Sequence, residues 1–201
     1  MISWMFISLV VTILLTPGPT NTLLAASGLR MGVRDSLVLI PAEAFGYLVA
    51  ISAWGFLIDF IAQAVPILPV MIKLLSASYI IYLAIKLWRT AKQDHDLHIS
   101  IIYPKALTVA TLLNPKGLLF ASAIFPATVW LNWGSYLSHM LTFLVLIVPI
   151  AFFWICLGHS LGKHKFYWLT PCNMQRTASL ILMSFSVPVS YSAVAKFIVM
   201  T

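Results

Sequence analysis

The sequence predicts an all-α integral membrane protein with six transmembrane helices, and three observations support this fold class. Hydrophobic residues make up 61% of the 201 residues, charged residues make up 8%, and the mean hydropathy is +0.99. A soluble domain carries about 25% charged residues because its surface must be hydrated. The apolar segments are also long and continuous, unlike the short alternating strands of a membrane barrel. Finally, nine of the 12 Lys and Arg residues lie in or beside alternate connections between these segments, and the other connections contain none.

Six apolar stretches are the predicted spans. They lie near 2–29, 36–62, 67–88, 106–131, 136–162 and 177–199. A helix needs about 20 apolar residues to cross a bilayer, so each stretch has room for a tilt or a break. We interpret residues 1–201 as one transmembrane domain with two halves, approximately 1–92 and 104–201.

The basic residues predict the orientation of the chain. The first, third and fifth connections, with the helix turn before the third, contain Arg30, Arg34, Lys86, Arg89, Lys92, Lys105, Lys163, Lys165 and Arg176. The second and fourth connections, near 65–68 and 132–135, contain neither Lys nor Arg. Because basic connections remain in the cytoplasm, both termini are expected in the periplasm. Tryptophans near the span ends are typical of an interfacial belt, and they are Trp4, Trp88, Trp130, Trp133 and Trp168.

Several other classes of function are not indicated. The net charge of +7 comes from dispersed residues and does not form a basic patch for nucleic acid. Cys156 and Cys172 have no metal or redox spacing. The segment 94–98 contains Asp and His, but a short flexible loop does not fix metal geometry. No motif assembles a nucleophile, a base and an oxyanion hole, so we predict neither an enzyme nor a cofactor or metal site.

The division into three plus three spans predicts an inverted repeat. Because three is odd, the second half must cross the membrane in the opposite direction, and substrate sites of such proteins lie where broken helices meet. The first span contains Pro17-Gly18-Pro19, and the fourth contains Asn114-Pro115-Lys116. Proline removes a backbone donor and clashes with a preceding carbonyl. We therefore expect helices 1 and 4 to be discontinuous, although a packed kink would give the same pattern.

Three polar residues inside the spans are candidates for function. Asn21 follows the first break, Lys116 lies about 10 residues into its span, and Glu43 is the one acid well inside a span. Charged residues at such depth usually mark a pathway or a counter-ion. A buried carboxylate is costly unless it is paired or protonated, which suits a proton-coupling residue. Lys116 is the expected partner of Glu43, and Tyr47 shares the helix face of Glu43; a purely structural polar contact is the alternative.

With these residues the chain resembles the lysine-exporter (LysE/RhtB) family of bacterial amino-acid exporters over nearly its whole length. The most specific piece is 15–21, LTPGPTN, which is followed by 28–32, GLRMG. The segment 77–89, which includes Tyr79, is similar to the third helix of the family, and 113–116 with Phe125-Pro126 is similar to the fourth.

The resemblance implies an exporter of amino acids or small amino-acid derivatives in the bacterial cytoplasmic (inner) membrane, coupled to proton antiport. Its partners would be the amino-acid substrate, protons and the lipid bilayer. Small residues along several spans are also compatible with a homodimer. The resemblance places the substrate site, by position, at Pro17, Gly18, Pro19, Asn21, Asn114, Pro115 and Lys116. We add Tyr47 and Tyr79 to the predicted substrate-binding residues and assign Glu43 to proton coupling.

The chain also departs from the family pattern. Members often carry an acid near the positions of Tyr47 and Pro149, and this chain has none there. Glu43 could replace the missing acid, or coupling could be lost. Common glycine positions are occupied by Ser76, Ala84, Ser179 and Ser186. A membrane scaffold or assembly protein that keeps the exporter fold without transporting is therefore the alternative function.

The charge pattern generates a topology prediction. In a variant without Cys156 and Cys172, single cysteines at Ile2 and Asn132 should react with a membrane-impermeant maleimide added outside intact cells. A cysteine at Asp94 should react only after the membrane is opened, because its connection is cytoplasmic. Labelling of the Asp94 position from outside would contradict the predicted orientation.

Overall fold

A computed structural model describes residues 2–65, 67–90 and 101–162, and seven further positions from Arg176 to Tyr191. Within 68–90 the side chains of some residues are not described. The described residues form helices joined by short turns and contain no strand, which confirms the all-α prediction for these residues. Its helices are α1 (Trp4–Leu15), α2 (Pro19–Ser36), α3 (Leu39–Ala64), α4 (Leu68–Thr90), α5 (Pro104–Leu112), α6 (Pro115–Leu119) and α7 (Trp133–Gly162), with a π-helical turn at Phe120–Ile124 and a 3₁₀ turn at Ala127–Val129.

Two of these helices, α3 and α7, are individually long and apolar enough to cross a membrane. Two further pairs meet the same test together: α1 with α2, bent by 57°, and α5 with α6 and the π-helical turn, bent by 46°. The described residues therefore contain up to four spans if each bent pair is one span. The third predicted stretch coincides with α4, and most of the sixth, 177–199, lies outside the described residues.

Both bends follow from local sequence. Pro19 is the first residue of α2, and Gly18 before it is extended at φ −167°. Pro115 is the first residue of α6, and Asn114 before it is also extended. Proline is accepted at the first helical position because its missing N–H would have no partner there, whereas inside a helix it would break a hydrogen bond. Each bend therefore separates one helix end from a new helix start.

The first connection is shorter than the sequence predicts. Residues 30–34 were expected to form a loop, but they lie inside α2, and only Leu37 and Val38 separate α2 from α3. The chain turns instead at Gly32, whose φ of 81° and ψ of 173° are accessible essentially to glycine alone. A break at Gly32, a short helical segment and the two residues Leu37 and Val38 thus replace the expected loop.

Glycines bring the bent pairs against the long helices. On α2, a Cβ at Gly28 would overlap the Ile155 carbonyl of α7, and one at Gly158 would overlap the Ala25 carbonyl of α2. Between α3 and α5, a Cβ at Gly46 would lie 2.6 Å from the Thr111 Cβ. Such close approach is how membrane helices gain packing energy without a hydrophobic driving force between them. These contacts hold α2 against α7 and α5 against α3.

A serine also lets α4 approach a residue near the C-terminus. The Ser179 hydroxyl donates a 2.6 Å hydrogen bond to the Ala84 carbonyl, and both residues are buried. Serine and alanine, which stand here in place of the glycines common in the family, therefore still allow close contact, as the sequence predicts. The side chains of Ser76 and Ser186 lie outside the described set.

The tryptophan belt is only partly as predicted. Trp4 and Trp133 are 85% and 71% exposed, which suits an interface with lipid head groups. Trp130 is buried, so its assignment to the belt is wrong. Its ring fills the space beside Gly55 and stacks on Phe125 with centroids 5.7 Å apart. Hydropathy and position cannot distinguish these environments, because the glycine that admits the ring is distant in sequence. Trp168 lies outside the described residues.

The glycine contacts generate a stability prediction. Gly158→Ala should lower the free energy of unfolding by about 1–3 kcal/mol, because the added methyl group meets backbone that cannot rotate away. Gly134→Ala, also in α7, is the matched control, since its Cβ would approach only the Asn132 side chain. Unfolding in mixed micelles, titrated with a denaturing detergent, measures both variants. Equal stability of the two variants would contradict the close α2–α7 contact.

Candidate functional site

The two helix bends meet at Lys116. Its ammonium donates hydrogen bonds of 3.0 Å to the Ile13 carbonyl and 2.6 Å to the Thr16 carbonyl at the end of α1, and the residue is only 3% exposed. The last carbonyls of a helix lack the N–H four residues on and carry partial negative charge, and that of Ile13 accepts in addition only a 3.3 Å bond from the Thr16 N–H. An ammonium from the second bend thus stabilises the helix end at the first.

Gly18 makes room for this contact. A Cβ at this position would lie 3.0 Å from Lys116 Cε and 3.1 Å from its Nζ. The backbone conformation is extended and open to any residue, so the requirement for glycine is one of space. The lysine side chain therefore crosses directly over the first bend.

Asn21 satisfies the same helix end from the other side. Its amide nitrogen donates to the carbonyls of Leu14, at 2.6 Å, and Thr16, at 2.8 Å. The Thr16 carbonyl consequently accepts from both Asn21 and Lys116. Two buried side chains provide the donors that neither water nor lipid supplies in this interior.

Asn114 joins the second bend to α2 and α3. Its side-chain oxygen accepts from the backbone N–H of Lys116 at 3.1 Å and so caps α6. Its amide nitrogen donates to the Tyr47 hydroxyl at 3.1 Å and lies 3.4 Å from the Thr20 hydroxyl. Asn114 therefore connects three elements within one buried network.

Glu43 lies beside this network on α3, one helical turn before Tyr47. It is 1% exposed, and its carboxyl interacts with the Thr20 side chain and with the charge of Lys116. Its Oε1 atom is buried and has no hydrogen-bond partner. The expected direct pairing with Lys116 is wrong, because the lysine donates to the carbonyls of α1 instead. The two charged groups are neighbours without a hydrogen bond.

An apolar wall covers the network. The Tyr47 ring packs edge-on against Phe120 and Phe143, with centroid distances of 5.9 and 5.7 Å. Phe120 begins the π-helical turn after α6, a form of local distortion that is frequent at functional sites. These rings exclude water, which strengthens the electrostatic interactions of Glu43 and Lys116.

The structure thus brings together most of the residues expected at the site. Gly18, Asn21, Asn114, Lys116, Tyr47 and Glu43 contact one another directly or through one intervening residue, and the three prolines, Pro17, Pro19 and Pro115, shape the bends. The side chain of Tyr79 lies outside the described set. Thr20 was missed, although its place between Pro19 and Asn21 in the first break was an available signal. Among the described residues no cluster of three His, Cys, Asp or Glu could hold a metal ion, and segment 94–98 lies outside them.

A helical membrane protein whose bent helices meet around buried polar groups has the general design of a transporter. The LysE type translocator family model matches residues 11–193, so the chain belongs to this family of membrane translocators. It is 27% identical over 159 residues to an uncharacterized membrane protein of Vibrio cholerae, covering 75% of this chain and 70% of the relative. It is 30% identical over 158 residues to one of Pseudomonas aeruginosa, covering 72% and 70%. No solved structure matches the chain.

The Asn114 network generates a second stability prediction. Asn114→Ala should lower the free energy of unfolding by about 2 kcal/mol or more, because it removes a helix cap and a buried partner of Tyr47. Asn132→Ala is the matched control, since Asn132 accepts from the Ser135 N–H near the start of α7 but is exposed. Its loss should cost about 1 kcal/mol. Equal losses in a detergent unfolding titration would show that the buried contacts of Asn114 add nothing.

Proposed function

We propose that the protein is a secondary active exporter of amino acids or small amino-acid derivatives, driven by proton antiport across the bacterial cytoplasmic membrane. Membership of a translocator family supports transport as the general activity. The observation that carries the proposal is the meeting of two helix bends at Lys116, beside a buried Glu43 with an unpaired oxygen. Both termini are proposed to face the periplasm, as the basic connections indicate.

A zwitterionic substrate suits this combination of groups. Its ammonium requires acceptors, which the carbonyls ending α1 and the Glu43 carboxylate supply. Its carboxylate requires donors, which the Lys116 ammonium and the first backbone amides of α2 supply. An amino acid presents both charges a short distance apart, as the site does. This complementarity supports an amino-acid substrate over a neutral one.

An inverted 3+3 repeat with discontinuous helices 1 and 4 is part of the proposal. Exchange of the halves relates the first span to the fourth, the second to the fifth and the third to the sixth. The contact of α2 with α7 joins the first and fifth predicted spans, and that of α5 with α3 joins the fourth and second, so each contact maps onto the other. The Ser179–Ala84 bond joins the third and sixth, which maps onto itself. These packing relations support the repeat.

Glu43 is the proposed carrier of the coupled proton. Antiport requires a group that binds a proton facing one compartment and releases it facing the other. Of the acids whose side chains are described, Asp35 is exposed and Asp59 is half-buried, whereas Glu43 is buried inside the site. Glu43 and Tyr47 both interact with Thr20, so the carboxyl lies near the position of Tyr47, where the family resemblance implies an acid. This proximity supports a replacement of the missing acid.

Transport in proteoliposomes tests the function. A panel of labelled amino acids, with and without an imposed pH gradient, should identify at least one substrate that accumulates only with the gradient. Glu43→Gln should keep substrate exchange, but its gradient-driven accumulation should be lower by a factor of about ten or more, because its amide cannot carry a proton.

Asp59→Asn is the matched control, since it neutralises a second carboxyl of α3 away from the site and should leave accumulation intact. Full gradient-driven accumulation by Glu43→Gln would assign the proton to another group. Failure of the whole panel to be transported or to stabilise the protein would instead favour the scaffold function.

A further inference from the structure

The end of α1 has the chemistry of a binding site for a primary ammonium. The carbonyl oxygens of Ile13 and Thr16 converge on one nitrogen, the Nζ of Lys116, at 3.0 and 2.6 Å. A lysine ammonium and the ammonium of an amino acid are the same functional group, with a compact charge and donors arranged around one nitrogen. The protein therefore already holds a copy of the proposed substrate's charged group at the first bend.

We propose that Lys116 is a resident competitor: its ammonium occupies the substrate's ammonium site when substrate is absent, and the incoming ammonium displaces it from the Ile13 and Thr16 carbonyls. The proposal rests on the proposed export function and adds how the site recognises its substrate. It requires that these carbonyls exchange one primary ammonium for another. The carbonyls then remain satisfied in both states, which an apolar interior demands.

The unpaired oxygen of Glu43 provides a place for the displaced lysine. Oε1 is buried and lacks a donor, while the carboxyl already interacts with the charge of Lys116. Two hydrogen bonds hold the lysine in the present state, and an ammonium has three donors. Once the substrate ammonium reaches the carbonyls, Lys116 pairs with Glu43 or with the substrate carboxylate. No buried charge is left without a partner during the exchange.

The mechanism also defines a class of substrate. The ligand must carry an unsubstituted primary ammonium, because an N-acyl group removes both the charge and the compact donor set. It must also carry a carboxylate, because two ammonium groups beside the single Glu43 carboxyl would give the dry site a net positive charge. A simple alkylamine lacks this carboxylate, so its binding would leave a net positive charge in the site, and we expect that it does not dislodge Lys116 from the unmodified protein.

Chemical rescue tests the ammonium site directly. Lys116→Ala removes the part of the side chain that n-propylammonium can replace. The purified variant should have a lower unfolding temperature than the original protein, and millimolar n-propylammonium should restore most of the loss. The same amine should not stabilise the unmodified protein, whose site is occupied. Lys116→Met keeps the length of the side chain without its charge, so it should lose stability and gain nothing from the amine. Lys105→Ala, an exposed lysine on α5, should behave as the unmodified protein does.

Lys116→Gln covers the case in which the alanine variant does not fold. Its amide keeps a donor near the same carbonyls but holds them more weakly, so n-propylammonium should bind it about ten-fold more tightly than it binds the unmodified protein. Propylammonium that stabilises all variants equally, or none of the folded ones, would overturn the proposal.

A competition arm links the site to transport. An amino acid that the proteoliposome panel identifies should displace labelled propylammonium from Lys116→Ala, whereas its N-acetyl derivative should not. Transport without displacement would overturn the exchange while leaving the exporter function in place. Rescue by propylammonium without transport of any amino acid would contradict the exporter function and leave the ammonium site supported.

Discussion

The carbonyls at the end of α1, which lack the N–H partners that a continuing helix would supply, are the constraint on which this structure depends. Pro17 and Pro19 prevent the helix from continuing, so its last carbonyls lose their partners in a region that excludes water. Each such group costs several kcal/mol unless a donor is supplied. Lys116 and Asn21 supply the donors, and Gly18 leaves the space that the lysine needs. A side chain of the second bend thus satisfies backbone carbonyls of the first bend, so the two bends depend on each other.

The local features of the fold were accessible from the sequence, whereas the pairing of groups across it was not. Prolines and glycine mark both bends, because their effect on the backbone is intrinsic to the residue. Lys116 was expected to pair with Glu43, since side-chain charges are visible in a sequence. Backbone carbonyls are identical at every position, and only the fold reveals which of them lack partners. Thr20 was not predicted for a related reason, since its importance comes from lying near both Asn114 and Glu43.

Packing shows the same division between local and long-range information. Apolar length predicted α3 and α7 within a few residues at the described ends, because hydropathy is summed along the chain. The turn at Gly32 and the burial of Trp130 depend on one backbone angle and one distant glycine, Gly55. Neither feature alters composition or periodicity. Distances along a sequence carry no information on which small residue faces which large one, so a tryptophan near a span end was assigned to the membrane interface.

The balance of charge at the site explains why a polar network is compatible with a dry interior. A buried cation alone would be costly, and so would a buried carboxylate. Here the cation lies on the negative end of a helix, and the carboxyl lies within its electric field but outside hydrogen-bonding contact. Lys116 therefore has two attractive positions, the carbonyls that it occupies and the Glu43 oxygen that is unpaired. A zwitterionic ligand brings one positive and one negative charge, so it preserves this balance whichever position the lysine takes. A ligand with a single charge gives the buried site a net charge, so electroneutrality selects the class of ligand before any side-chain pocket does.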